Sequence, residues 1–310
     1  MIAFVFPGQG SQKVGMGVDL AEASSAAREV FEEVDDALNQ KLARLMAEGP
    51  ESELTMTANA QPAIMANAMA VARVLEDGGF SLSEKGDCVA GHSLGEYSAL
   101  ASVGAFTLSD TAKLLRTRGI AMQDAVPIGL GAMCALLGAD LEKARGLAEA
   151  SAEGQVCEVA NDNDPTQVVL SGHAEAIDRA VELAKDHGIK RAVKLPVSAP
   201  FHCSLMQPAA QRMQFALNDT PPTAFRLPLY ANVTAAEVTD AAAEKDLLVQ
   251  QITGRVRWRE SVLAMQEAGV THFIEIGGKV LSPMIRKIAP DATATSVVSM
   301  DDIEALAKEV

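Results

Sequence analysis

The chain has 310 residues, 48% hydrophobic but only 4% aromatic, which allows one large domain, or one domain with an insert, built on an aliphatic, alanine-rich core. Its 26 Lys and Arg against 41 Asp and Glu leave a net charge of −15, which argues against non-specific binding to nucleic acid or an anionic membrane and requires any acidic partner to dock on a local basic patch. Four scattered cysteines without a C-x-x-C pair, the lack of a basic-plus-apolar leader, and the lack of an apolar run long enough to span a bilayer point to reduced thiols in a cytoplasmic protein.

Ile2 to Phe6 is a short apolar run closed by Pro7-Gly8, which predicts a buried strand. The loop Pro7-Gly8-Gln9-Gly10-Ser11-Gln12 follows. It is neither a phosphate loop, since no G-K-[ST] follows, nor a dinucleotide fingerprint, and on spacing alone it reads as a tight turn. Residues 20–47 read as helical with a break near Asp36, and Gln61-Pro62 opens a long helix to Leu75. Cys88 to Ala90 is a strand that meets Gly91-His92-Ser93-Leu94-Gly95, a G-x-S-x-G pentapeptide, and helices follow from Leu94 to Ser102 and from Ser109 to Asp124, with Ser109 and Asp110 as the cap.

The rhythm changes near Pro127–Gly131. A strand (132–137), a helix (141–150), two strands (156–160 and 168–171) around a turn at Asn161–Pro165, a helix (174–186) and a strand (191–195) give the order β-α-β-β-α-β of a ferredoxin-like unit. Beyond it, residues 198–202 lead into a helix, and strands at 228–232, 271–276 and 294–299 alternate with helices at 246–252, 259–268 and 280–288. The expected fold is α/β: a hydrolase-like, mainly parallel sheet formed by residues 1–128 and 197–310, with 129–196 inserted as a small ferredoxin-like subdomain.

A serine on a sharp strand-to-helix turn presents its hydroxyl outward, and the helix N-terminus behind it favours developing negative charge. Ser93 is therefore the candidate nucleophile, and the two glycines are required because a Cβ at either would clash where strand and helix nearly touch. A nucleophilic serine needs a base. Of the five histidines, His92 lies inside the elbow and would point away, His173 follows a turn, His187 ends a helix, and His272 enters a strand. His202, late in the chain after Pro200-Phe201, suits a serine-then-histidine order; a capping or core histidine is the other reading. No Asp or Glu is singled out as the group orienting the imidazole, and a backbone carbonyl could serve.

The combination of Phe4–Gln12, Gln61-Pro62-Ala63, Gly91–Tyr97, Arg118-Gly119 with Met122-Gln123, Ala160–Asn163, Pro200-Phe201-His202 and Glu275-Ile276-Gly277 resembles the malonyl-CoA:acyl carrier protein transacylase family. The motifs run in the family's order over essentially the whole chain. The resemblance implies a nucleophile at Ser93, a base at His202, an oxyanion hole from the backbone N–H groups of Gln12 and Leu94, and a malonyl carboxylate held by Arg118 beside Met122. It also implies an imidazole oriented by the main-chain carbonyl of Gln251, with Gln250 one residue off the same pattern. Phe201, before the base, resembles malonyl-selective members. Where the family often carries Gly-Pro-Gly-Lys, this chain reads Gly277-Gly278-Lys279.

The implied activity is ping-pong transfer of malonyl from malonyl-CoA to the phosphopantetheine thiol of acyl carrier protein, supplying fatty-acid synthesis, with no metal or redox cofactor and a monomer as the default state. Lys190, Arg191 and Lys194, or Arg286 and Lys287, are candidate basic islands for the carrier. The rivals are an acyltransferase for another extender unit in polyketide synthesis, a serine thioesterase or esterase, and a non-catalytic carrier-binding module.

Overall fold

The computed structural model describes residues 1–197 and 199–309. The strands are β1 (Ile2–Phe6), β2 (Cys88–Gly91), β3 (Gly131–Leu137), β4 (Cys157–Asp164), β5 (Gln167–His173), β6 (Arg191–Lys194), β7 (Leu229–Ala231), β8 (Ala236–Val238), β9 (His272–Ile276) and β10 (Thr293–Val297). They form two sheets. The larger has the order β10-β9-β1-β2-β7-β8 and is parallel except for β8, which turns back along β7. The smaller, β4-β5-β3-β6, is antiparallel throughout.

In the large sheet β1 and β2 are central and buried on both faces, which is why they read as unbroken apolar runs. Phe6 pairs with Gly91, so the loop after β1 and the turn after β2 emerge side by side at the carboxyl ends of the strands, where open α/β sheets place their ligands. The small sheet carries the helices Leu141–Ala152 and Ala174–Leu183, which close their own core around Leu136, Leu147, Leu170 and Ile177.

Several elements differ from expectation. The helical stretch 20–47 breaks at Ser24 and at 39–41, not at Asp36. Asp35 and Asp36 instead end a helix: their carbonyls take the N–H groups of Gln40 and Asn39, and the Asp35 carboxylate accepts from Ala43 N at 2.9 Å at the next helix start. The long helix runs Thr57–Asp77 and so places Pro62 inside it. That proline costs a backbone bond, but packing overrides it, since most of the helix is buried. The helix Leu108–Asp124 is capped by Thr107, whose hydroxyl accepts from Asp110 N at 3.0 Å, rather than by Ser109.

The expected turn at 161–165 is shorter. β4 continues to Asp164 through two bulges, because Asn161 to Asp164 find buried polar partners instead of water. Neither β8 nor the last helix, Met300–Glu309, is anticipated by the apolar pattern. Of the segment expected to lead into a helix from 198, residue 198 lies outside the described residues.

Candidate active site

The elbow forms because three backbones converge. A Cβ on Gly91 would sit 2.0 Å from the carbonyl carbon and oxygen of Gly95, and one on Gly95 would sit 2.2 Å from the Phe6 carbonyl oxygen. Only glycine fits at either position. Between them Ser93 takes φ +54°, a left-handed conformation that an L-residue holds only when its surroundings enforce it. Asn232, just past β7, supplies that enforcement: its Oδ1 accepts from Ser93 N at 2.7 Å and its Nδ2 donates to the Gly91 carbonyl at 2.6 Å. The helix Gly95–Ser102 begins immediately afterwards.

His202 reaches the elbow from the far side. It also has a positive φ, +56°. Its loop is braced by the small sheet: the ring of Pro200 packs where a Cβ on Gly131 would lie, and Glu158 accepts from Ser204 N and Oγ at 3.0 and 2.6 Å. Ser93 Oγ and His202 Nε2 are 2.8 Å apart, and His202 Nδ1 is 2.8 Å from the Gln251 carbonyl oxygen. A carbonyl can only accept, so Nδ1 carries the ring proton and Nε2 is left free to take the serine proton. Burial first, and then the nearby Arg118 charge, push the His202 pKa down to about 3. The imidazole is therefore neutral at ordinary pH.

Arg118 lies on the same hydroxyl. It is 1% exposed, and its Nη2 donates to Ser93 Oγ at 3.0 Å and to Gln251 Oε1 at 2.8 Å, while Nη1 donates to Gln61 Oε1 at 2.8 Å. These acceptors are neutral, and Arg118 Nε has no acceptor among the described residues. The Tyr97 ring lies 5.7 Å from the guanidinium carbon. Gln61 is held in turn by Met122, whose Sδ accepts from Gln61 Nε2 at 3.7 Å.

A cavity of about 260 Å³ opens onto these groups. Gln12, Ser93, Arg118, Met122, Phe201 and His202 line it from the large-sheet side, and Met133, Asn161 and Leu195–Val197 from the small-sheet side. Leu94 follows the serine with its side chain buried. Among the described residues, the main-chain N–H groups of Gln12 and Leu94 have no acceptor within the chain. A larger groove of about 540 Å³, lined by residues such as Met16, Phe31 and Met46, lies elsewhere and holds neither the serine nor any histidine.

The structure thus brings Ser93, His202, Arg118, Met122, Phe201, Gln12 and Gln251 to one place. Of the other histidines, His92 also lines the cavity but has its Nε2 bonded to Asn163 Oδ1 at 2.8 Å, and the rest are occupied elsewhere: His173 Nδ1 accepting from Val156 N, His187 Nδ1 against the Leu183 carbonyl, and His272 Nε2 with Thr295 Oγ1. The four cysteines are free and buried. Three groups were not anticipated. Gln61 stands in a motif that carries the resemblance but is given no role by it, and Asn232 carries no local motif that points to the site. The third is the side chain of Gln251, whose Nε2 donates to the Ser93 carbonyl at 3.0 Å in addition to the role of its backbone.

The acyl transferase domain family matches residues 3–288. The malonyl CoA-acyl carrier protein transacylase of Bacillus subtilis (strain 168) is 43% identical over 305 residues, covering 98% of this chain and 95% of that protein. The crystal structure of the acyl-carrier-protein-S-malonyltransferase from Bartonella henselae superposes with a TM-score of 0.97 at 52% identity, covering 99% of this chain and 98% of that one. A malonyl-transacylase solved in complex with its type II PKS acyl-carrier protein superposes with a TM-score of 0.96 at 38% identity, covering 100% of this chain and 99% of that one.

Proposed function

The chain belongs to the acyl transferase domain family, and on that footing we propose that it moves malonyl groups from malonyl-CoA to the phosphopantetheine thiol of acyl carrier protein through an ester on Ser93, supplying fatty-acid synthesis. The observation that carries this reading is Arg118. A fully buried cation with neutral acceptors, 3.0 Å from the nucleophile, suits an acyl group that bears its own carboxylate.

His202 Nε2 takes the Ser93 proton and the alkoxide attacks the thioester carbonyl. The tetrahedral oxyanion is held by the N–H groups of Gln12 and Leu94, an effect of about 3 kcal/mol per donor. Collapse expels the coenzyme A thiolate, which takes the proton from His202. The carrier thiol then gives its proton to His202, attacks the malonyl-serine ester, and leaves as the malonyl thioester while Ser93 recovers its proton. Met122 steadies Gln61 and hence Arg118, and Phe201 narrows the acyl chamber against branched acyl groups, by ~1–3 kcal/mol for one methyl. The apolar wall of Met133, Leu195 and Val197 favours a thiol on a flexible arm over water. No step calls on a metal or redox cofactor.

We read residues 129–196 as a ferredoxin-like subdomain inserted into a hydrolase-like large subdomain, 1–128 with 197–310. The order β4-β5-β3-β6 with two crossing helices supports the first part, and the serine elbow between β2 and its helix supports the second. The working form is a cytoplasmic monomer, and no described helix is long and apolar enough to cross a membrane. For carrier docking, Lys190 and Arg191 are the better island. Lys287 pairs with Asp164, Arg286 donates to the Ala294 carbonyl, and Lys194 pairs with Asp178. Lys190 precedes β6, Arg191 begins it, and the chain leaving its end reaches Leu195 at the cavity wall.

The direct test is intact-protein mass spectrometry after mixing with a panel of acyl-CoAs. Wild type should gain one malonyl group, which a thiol acceptor removes. Ser93→Ala should gain none, and stable labelling of that variant ends the assignment.

A further inference from the structure

Behind the elbow two carboxyl groups are buried with no cation bonded to them. Glu96 follows Gly95 on the nucleophile's helix, and Glu244 lies on the helix Ala241–Thr253; both are 0% exposed. Glu96 Oε2 accepts from the Asn232 main-chain N–H at 2.7 Å. Glu96 Oε1 and both oxygens of Glu244 have no N–H or hydroxyl partner among the described residues. The two side chains are hydrogen-bond neighbours of each other, and the Gln251 amide also lies against Glu96. Two ionised carboxylates cannot do this in a dry interior, because each offers only lone pairs and the charges repel. A single proton resolves both problems at once: one carboxyl donates and the other accepts.

The location gives that bond a consequence. Glu96 holds Asn232, and Asn232 holds both Ser93 N and the Gly91 carbonyl. Glu244 sits on the same helix as Gln251, two turns before it, and the Gln251 carbonyl orients His202. The carboxyl pair therefore links the helix behind the nucleophile to the helix behind the base.

We propose that Glu96 and Glu244 share one proton, with Glu244 as donor, and that this bond sets the spacing of Ser93 and His202, which makes both carboxyls positioning residues for acyl transfer. This rests on the Ser93–His202 reading of the site. The charged and titratable groups facing the pair agree with it. Burial raises Glu96 to about 7, but the Asn232 N–H, the Gln251 amide and the Arg118 charge all favour its ionised form, whereas nothing does so for Glu244, so the single negative charge sits on Glu96 and the proton on Glu244. Tyr97, beside both, is held neutral by burial. Burial and the facing carboxylate push Glu244 well above the ordinary carboxylate range. The pair titrates as a unit.

The test uses three forms of the full chain: wild type, Glu244→Gln and Glu244→Leu. Gln keeps an N–H to give Glu96 but has no acid proton; Leu has neither. Infrared difference spectra about two pH units above the Glu96 value of about 7 should show a protonated-carboxyl stretch in wild type that moves in deuterium oxide and is missing from Glu244→Gln. The acylation half-reaction with malonyl-CoA should run close to the wild-type rate in Glu244→Gln. In Glu244→Leu it should lose about tenfold in maximal rate, the loss of one hydrogen bond of ~1.4 kcal/mol, with little change in the malonyl-CoA concentration for half-maximal rate. Absence of the band from wild type, its persistence in Glu244→Gln, or a wild-type rate in Glu244→Leu overturns the proposal. If Glu244→Leu does not fold, the spectrum and rate of Glu244→Gln decide. Malonyl labelling of Ser93→Ala is a separate result that overturns the site reading itself.

Discussion

Arg118 and His202 are each explained by the other's burial. A guanidinium that is 1% exposed raises the cost of a second positive charge nearby, so it helps drive the imidazole pKa down to about 3. A malonyl carboxylate on Arg118 would cancel part of that field and let His202 rise, bringing the base toward the operating pH only when the right acyl group is present. The profile of kcat/KM, which reports the free enzyme, should therefore stay flat well below the ordinary histidine value of 6.5, while the acid limb of kcat lies higher; coincident limbs would show that the two groups do not communicate. The stability consequence has a definite sign. The unfolded chain takes up a proton at 6.5 and the folded one does not until about 3, so this residue costs stability as pH falls through that window. For specificity, if Arg118 grips the malonyl carboxylate as proposed, Arg118→Ala removes a charge-assisted contact worth about 3 kcal/mol, so malonyl transfer should fall ~100-fold in kcat/KM while acetyl transfer gains relative to it. Steady-state assays with both thioesters check this, and unchanged malonyl turnover would refute it.

At the scale of elements, the elbow was legible because its requirement is local. Two glycines four residues apart, a strand before and a helix after, state the steric problem in five letters, and a Cβ on Gly91 would lie 2.0 Å from backbone atoms that cannot step aside. Gly91→Ala should cost at least about 3 kcal/mol in a urea titration, since overpacking against backbone is not relieved by a rotamer change; a near wild-type midpoint would mean the turn can reshape. What brings the rest of the site together is long-range and left no local trace. Asn232 meets Ser93 across 139 residues of sequence, and Glu96 meets Asn232 across 136. An asparagine after a short strand, or a glutamate in the first turn of a helix, has ordinary local reasons to be there. On spacing alone His202 is only the best of five, and its role as base is what the resemblance implies. The error at 161–164 has the same origin: Asn-Asp-Asn-Asp spells a turn by propensity, yet these residues continue β4, because Asn163 bonds His92 and the two aspartates bond cations on distant helices.

Those aspartates decide how the whole molecule holds its cavity. The wall formed by β3, β4 and the segment after β6 works only if the small sheet keeps its place against the large one, and the apolar contact there is broken by the cavity itself. Polar stitches do the holding. Asp162 is 0% exposed and receives Arg259 through Nε and Nη2, with the shortest contact at 2.8 Å; Asp164, equally buried, receives Lys287 at 2.8 Å; and Asn161 bridges in parallel to Val256. In each ion pair the carboxylate is dry and the cation partly wet. Removing the cation is then the harmful change, because it strands a buried charge, whereas removing the carboxylate leaves a cation that can turn to water. Arg259→Leu should destabilise the chain by about 2 kcal/mol, toward the low end for a broken buried pair because a quarter of the Arg259 side chain is already exposed. Adding Asp162→Asn to that variant should recover much of the loss, as the stranded charge is gone. Urea titrations of the two single variants and the double variant measure the coupling directly. The small sheet also grips the His202 loop through Glu158 and Ser204. Loosening it should therefore lower the Ser93 acylation rate by a larger factor than it raises the malonyl-CoA requirement, and equal effects on both would mean that the stitches serve stability alone.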